Sequence, residues 1–145
     1  MTSPVLVVAA AVVDDLDHPR RLLAARRLRP TALAGRWEFP GGKVDDDDQT
    51  PADALHREVL EELGVRVALG AQVPAPDGGD WPVSDRYVLR LWAAAVLDGV
   101  PTPQVEHDAV RWLEPGSWLD VPWLDADVPI VSALLRRVGS AAGLR

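Results

Sequence analysis

Gly41-Gly42-Lys43-Val44-Asp45-Asp46-Asp47-Asp48-Gln49-Thr50-Pro51-Ala52-Asp53-Ala54-Leu55-His56-Arg57-Glu58-Val59-Leu60-Glu61-Glu62-Leu63-Gly64-Val65 is the stretch around which the other elements fall into order. Thr50 followed by Pro51, with Asp53 at the third helical position, is a helix start of the capping-box kind. Gly64 supplies the stop. Between them Ala52, Leu55, Val59 and Leu63 form an apolar stripe, so the helix packs on something. Glu58, Glu61 and Glu62 stand at i, i+3 and i+4, which puts all three carboxylates on one flank, beside that contact. Like charges at those spacings repel by a few tenths of a kcal/mol per pair. Taken alone, the trio is either a solvated acidic face or a set of oxygen ligands for a hard divalent cation. The glycine pair before it is expected to allow positive φ and close backbone approach, turning amide donors toward a ligand.

Upstream, Val5 to Val13 is apolar on both faces and rich in β-branched residues, as a buried central strand should be. Asp14 to Pro19 is turn chemistry, and Arg21 to Ala25 returns as a second strand. The basic exit Arg26-Arg27-Leu28-Arg29 faces either solvent or a phosphate. Arg36 to Phe39 is a strand end that Pro40-Gly41-Gly42 should stop. Asp45 to Asp48 lacks the alternating ligand spacing of an EF-hand loop, and alone it suggests a solvated turn.

Downstream, Val65–Ala75 and Ser84–Leu97 are expected strands joined by the turn Pro76-Asp77-Gly78-Gly79-Asp80. Arg86 and Arg90 are four apart, thus on one face, either solvated or lining a ligand. Ala109 to Leu113 is a short strand. Asp125 or Asp127 can cap a last helix whose stripe is Ile130, Val131, Leu134, Leu135 and Val138, ending at Gly139. The tail from Ser140 to Arg145 is expected to fray. Trp37, Trp112 and Trp123 suit a core or a pocket wall. Strands, helix, strands, helix in that order indicate a mixed α/β (α+β) fold, a mixed sheet flanked by helices.

At 145 residues the chain is expected to form a single domain spanning 1–145. Its formal charge of −7 argues against a nucleic-acid polymer as partner, since duplex binding needs a basic face. A small phosphorylated ligand carried with metal ions is compatible with it. Cysteine is absent, which removes disulfides and thiolate metal sites. The longest apolar run, Val5–Val13, is too short to span a bilayer and lacks a basic leader, so a cytoplasmic protein with no membrane partner is expected.

Arg57, Glu58, Val59, Glu61, Glu62, Gly64 and Val65 match Arg-Glu-aliphatic-x-Glu-Glu-x-Gly-aliphatic, and the chain on these residues resembles a Nudix hydrolase, with its box region over residues 41–65. Gly35-Arg-Trp-Glu-Phe-Pro-Gly-Gly-Lys-Val44 resembles the MutT-like branch, which includes bacterial enzymes that act on 8-oxo-dGTP or on CTP and dCTP analogues. The likeness runs from Val5 to about Arg137. It implies the Nudix α/β/α sandwich and hydrolysis of a nucleoside triphosphate to the monophosphate and pyrophosphate, as in nucleotide-pool sanitising and DNA repair.

The resemblance also implies roles. Glu58, Glu61 and Glu62 would hold Mg2+ (or Mn2+), with the Gly41 carbonyl and the loop carboxylate Glu106 as further ligands. Arg57 would brace the catalytic loop through a salt bridge. Arg27, Phe39, Arg86 and Asp127 match positions lining the base pocket, and an Asp at 127 resembles members taking cytidine nucleotides as well as oxidised guanine. Asp127 is equally placed to act as a helix N-terminal acid. The chain departs from the pattern at one point. Gln49 stands where the box has its first glutamate, and the interval from Gly42 to Arg57 is one residue longer, which leaves Asp48 as a substitute. Alternatives are a Nudix hydrolase of another nucleoside diphosphate derivative and a weakly active nucleotide-binding module. A monomer or small homo-oligomer is expected.

Overall fold

In the computed structural model, which describes residues 3–140 and 143–145, β1 (Val5–Val13) runs through the middle of an eight-stranded mixed sheet. β2 (Leu22–Arg27), β3 (Trp37–Glu38) and β4 (Gly41–Lys43) follow. Then come α1 (Pro51–Leu63), β5 (Arg66–Gln72), β6 (Trp81–Pro82), β7 (Tyr87–Asp98) and β8 (His107–Leu113). A short 3-10 turn, Asp125–Asp127, leads into α2 (Val128–Val138). The main strand order is β3-β2-β1-β7-β5, with β4 on β1, β6 on β7 and β8 on β2. Among the described strands β1 and β7 pair in parallel, from Val5 with Tyr87 to Val13 with Ala95, and the other pairings are antiparallel.

The doubly apolar sequence of β1 is explained by its neighbours on both faces. Val8, Ala10 and Val12 pack with Leu55, Val59 and Leu63 of α1 on one side. Ala9, Ala11 and Val13 pack with Ile130, Val131 and Leu134 of α2 on the other, together with Trp37 and Trp123. Two cores on opposite sides of one sheet make the α/β/α sandwich. No helix among the described residues is long and apolar enough to cross a membrane.

Both ends of α1 form as the sequence predicts. The Thr50 hydroxyl accepts from the Asp53 amide at 3.1 Å, Pro51 opens the helix, and Gly64 closes it at φ 70°. Ala54, as well as Leu55, Val59 and Leu63, is fully buried, so the apolar stripe is one residue wider than the spacing implied.

Two expectations need correcting, and one strand was not foreseen. β3 does stop before Pro40, but Gly41 and Gly42 do not have positive φ; they open a strand of their own, β4, antiparallel to Val7–Ala9. Their need is for space. A Cβ on Gly41 would sit 2.0 Å from the Val8 carbonyl oxygen. Trp81–Pro82, to which the sequence reading assigned nothing, forms a short strand on β7, a two-residue pairing with no periodicity to read. The tail does not fray throughout: Leu144 is fully buried, its amide donates to the Leu16 carbonyl at 2.9 Å, and its carbonyl accepts from Ala71 at 3.0 Å. Residues 141 and 142 lie outside the described residues.

Candidate active site

A cleft of about 950 Å3 opens where β1 exchanges β4 for β2 as its partner. Of the residues singled out in the sequence, Arg27, Phe39, Gly41, Glu58, Glu61, Glu62, Glu106 and Asp127 line it. Arg57 stands behind the wall, bonded to residues that do line it. Arg86 does not line the cleft: it is exposed, just before β7, with its guanidinium 5.7 Å from the centre of the Tyr87 ring. Tyr87 is the residue that lines the wall there, with Lys43 Nζ 5.3 Å from the same ring. Arg90 is taken up by Asp80, at 2.9 and 3.0 Å.

At one end α1 presents its carboxylates. Glu62 is largely covered and accepts from the Gly41 amide at 2.9 Å. Burial pushes its carboxyl up to about 8, against the relief of that hydrogen bond, and the charges of Glu38, Glu58 and Glu106 add to the shift. Burial also raises the Glu58 carboxyl, despite an Arg57 Nη1 donor at 3.0 Å. Glu58 sits where a side chain on residue 42 would be: a Cβ there would come within 2.4–2.6 Å of its carboxyl atoms. Gly42 is therefore a socket for that carboxylate.

Arg57 gathers the acidic loop. Its Nε and Nη2 donate to the two carboxylate oxygens of Asp48 at 3.1 and 2.8 Å, a bidentate pair. Nη2 also reaches the Lys43 carbonyl at 3.3 Å and lies 3.4 Å from Asp45, and Nη1 lies 3.5 Å from Glu61. This Arg57 contact holds the Asp48 carboxyl below its usual range. Gln49 is exposed, while the Asp48 side chain is only 8% exposed. The carboxylate that faces Arg57 is thus Asp48, and the Asp45–Asp48 run is a strapped loop in place of a freely solvated one.

Beyond α1 the wall is assembled from separate elements, and its Glu38 and Glu106 are close enough for their charges to act on Glu62. Glu38 of β3 receives Arg27 Nη1 at 3.2 Å on both oxygens and lies 2.8 Å from His107 Nε2. Arg27 Nη2 stands 3.6 Å from Glu106. The preceding Val105 has φ 48°, the only non-glycine with positive φ among the described residues, and it too lines the cleft. Phe39 packs on Trp123 with ring centres 4.9 Å apart. Asp127 is 5% exposed, and although it precedes α2 its side chain makes no capping hydrogen bond. Burial, reinforced by the charge of Glu38, pushes its carboxyl up to about 7.

Glu38 and His107 were not singled out in the sequence. Glu38 lies within the Gly35–Val44 stretch that carries the likeness but was given no role there, and His107 had only its position beside Glu106.

A divalent cation fits the donor set. Glu58, Glu61 and Glu62 are hard oxygen donors, and two of them are raised by burial among like charges, which a cation would offset. As they stand, no three acidic or histidine side chains among the described residues are grouped to hold an ion. Arg57 engages Glu58 and Glu61, and the Gly41 amide engages Glu62.

Comparison with known proteins places these features in context. The model of the NUDIX domain matches residues 5–134. A Mycobacterium tuberculosis protein whose provisional name is 8-oxo-dGTP diphosphatase 2 is 39% identical over 141 residues, covering 94% of this chain and 93% of its own. The CTP pyrophosphohydrolase of Escherichia coli is 37% identical over 130 residues, covering 89% and 90%. The solution structure of the E. coli ORF135 protein superposes with a TM-score of 0.71 at 32% identity, over 92% of this chain and 90% of that one.

Proposed function

The chain belongs to the NUDIX family and is a Nudix hydrolase, and from that premise we propose that it hydrolyses nucleoside triphosphates to the monophosphate and pyrophosphate with Mg2+. Cytidine and oxidised guanine nucleotides are the substrates we place first. The observation that carries the reading is the polarity of one cleft. Its α1 end is a bank of carboxylates suited to a metal-bound polyphosphate, and its far end is closed by an aromatic ring and a buried carboxyl. The relatives named for 8-oxo-dGTP and CTP support the choice of bases.

Glu58, Glu61 and Glu62 would hold the ion, joined by Glu106 and the Gly41 carbonyl. When bound, Mg2+ supplies charge neutralisation of the polyphosphate and activation of water. The chain's own residues do the rest. Arg57, anchored by Asp48, keeps the loop closed while releasing Glu58 and Glu61 from its Nη1. Lys43, beside the same wall, offers a positive charge to the phosphates. Phe39 provides an apolar face for the base. Asp127, with its carboxyl raised to about 7, holds or gives up a proton near neutrality and so can donate to or accept from a base edge.

The test is pyrophosphate release with Mg2+ over CTP, dCTP, 8-oxo-dGTP, the four normal dNTPs and ADP-ribose. Release from triphosphates supports the reading. Turnover of ADP-ribose alone moves the enzyme to nucleoside diphosphate derivatives. Tight binding without turnover of any substrate makes the chain a nucleotide-binding module.

A further inference from the structure

His107 opens β8, and its ring is fully covered by protein. Nε2 faces Glu38 at 2.8 Å, and an ionised carboxylate can only accept, so Nε2 donates. Nδ1 is buried and has no partner among the described residues. A buried polar atom left unpaired is a cost, and an apolar residue of similar size would fill the same space without it. The ring is therefore retained for what Nε2 does.

The sheet has been bent to deliver it. In the β2–β8 ladder the register slips between Arg26 and Arg27: Arg26 faces Ala109 and Arg27 faces His107, with Asp108 as the extra residue. Such a bulge re-aims side chains. Here Asp108 is turned to the outer face, where it binds Arg26 at 2.8 Å. His107 and Arg27 are brought onto the same carboxylate, Glu38, in the wall of the cleft. Arg27 donates to two acceptors, from Nε to the Arg29 carbonyl at 3.0 Å and from Nη1 to Glu38, and its Nη2 is left in an ion pair with Glu106 at 3.6 Å.

We propose that His107 is a positioning residue for the hydrolytic reaction: its Nε2–H fixes Glu38 against Arg27, which leaves Arg27 Nη2 to hold Glu106 at the cleft. Without that donor Glu38 takes more of the guanidinium, and Glu106 loses its restraint. The inference rests on the triphosphatase reading, while its structural premise, the Nε2–H donor to Glu38, does not.

The variants are His107→Phe, which fills the volume without a donor, and His107→Gln, whose amide can donate. With CTP and 8-oxo-dGTP as substrates, His107→Phe should lower kcat about ten- to hundredfold, the range for losing a supporting hydrogen bond behind a ligand, with KM changed less than about threefold. His107→Gln should restore most of that loss. A folded His107→Phe with kcat within twofold of the parent, or no recovery in His107→Gln, overturns the proposal. If His107→Phe does not fold, nitrogen-15 NMR of the intact parent decides. A ring protonated on Nε2, whose proton resonance moves in Glu38→Leu, supports the proposal; a ring protonated only on Nδ1 overturns it. That spectrum needs no substrate, so a parent protein that hydrolyses nothing would sink the function while the tautomer still judges His107.

Discussion

The two ends of the cleft restrain their carboxylates in opposite ways. At the α1 end the acids come from one helix, and a single arginine behind the wall shares itself among Asp45, Asp48, Glu58 and Glu61. Only Asp48 takes a bidentate share, so Glu58 and Glu61 can leave while Arg57 stays anchored. Beyond the helix Glu38, whose charge reaches both Glu62 and Asp127, is clamped by two donors from two other strands, and at the far end Asp127 is enclosed by the core. One end is built to exchange partners and the other to keep its shape. That division suits a ligand whose charged part arrives with an ion and whose base must be checked against a fixed outline.

The sharpest way to break this picture is at the exchanging end. Glu61→Gln and Glu62→Gln should each remove turnover, by about a thousandfold, because several kcal/mol of charge stabilisation are lost with a ligand. Near-parental rates in both would sink the metal assignment. Next is the anchor. Asp48→Ala should lower activity and Mg2+ affinity about ten- to hundredfold, as losses of supporting partners do, while Gln49→Glu changes little. Titration calorimetry with Mg2+ or Mn2+ reads the affinity directly, and an inert Asp48→Ala would show that Arg57 needs no anchor.

The fixed end predicts a smaller, selective effect. Asp127→Asn should alter the ratio of kcat/KM between CTP and 8-oxo-dGTP by about tenfold, with the best substrate's kcat less affected. An unchanged ratio would remove Asp127 from base selection.

The smallest effect is on stability. Glu62 and Asp127 have carboxyls raised from 4.5 to about 8 and from 3.8 to about 7. The folded state therefore binds more protons than the unfolded chain across those windows, and stability falls as pH rises through them. Without metal, the midpoint of thermal unfolding should drop between about pH 5 and pH 8. Added Mg2+ should raise it more at pH 8 than at pH 6. An equal Mg2+ effect at both would show that the ion does not compensate the Glu62 charge.

The same division decides what could be read from residues alone. The exchanging end lies in one continuous stretch, so helix period, cap and stop were enough to put Glu58, Glu61 and Glu62 on one flank. Even there the glycine pair was half read: close approach was expected and is present, but positive φ is not needed, and what is approached, Val8 and Glu58, depends on what packs opposite. The fixed end draws on β2, β3, β8 and the turn before α2. Arg27, Phe39, Glu106 and Asp127 came from family likeness, not from spacing. Glu38 stood in the stretch that carries the likeness but without a role, and His107 escaped both, since their meeting depends on a bulge that has no sequence signature here. The central strand was legible as one unbroken apolar run, and the two helices because each repeats one periodicity over many residues. β4, β6 and the docked Leu144 are short contacts decided by partners far along the chain.

One consequence follows for anyone mapping tolerance along β4. Position 41 is closed by the backbone of β1 and position 42 by the Glu58 carboxyl, while the side chain of Lys43 is exposed. A saturation library across the strand, read for soluble protein, should return almost nothing but glycine at 41, small residues at 42 and broad variety at 43. The two closed positions would fail for different reasons. Larger residues at 41 should cost soluble protein, whereas alanine at 42 should fold and lose its ion, so abundance and activity would separate there.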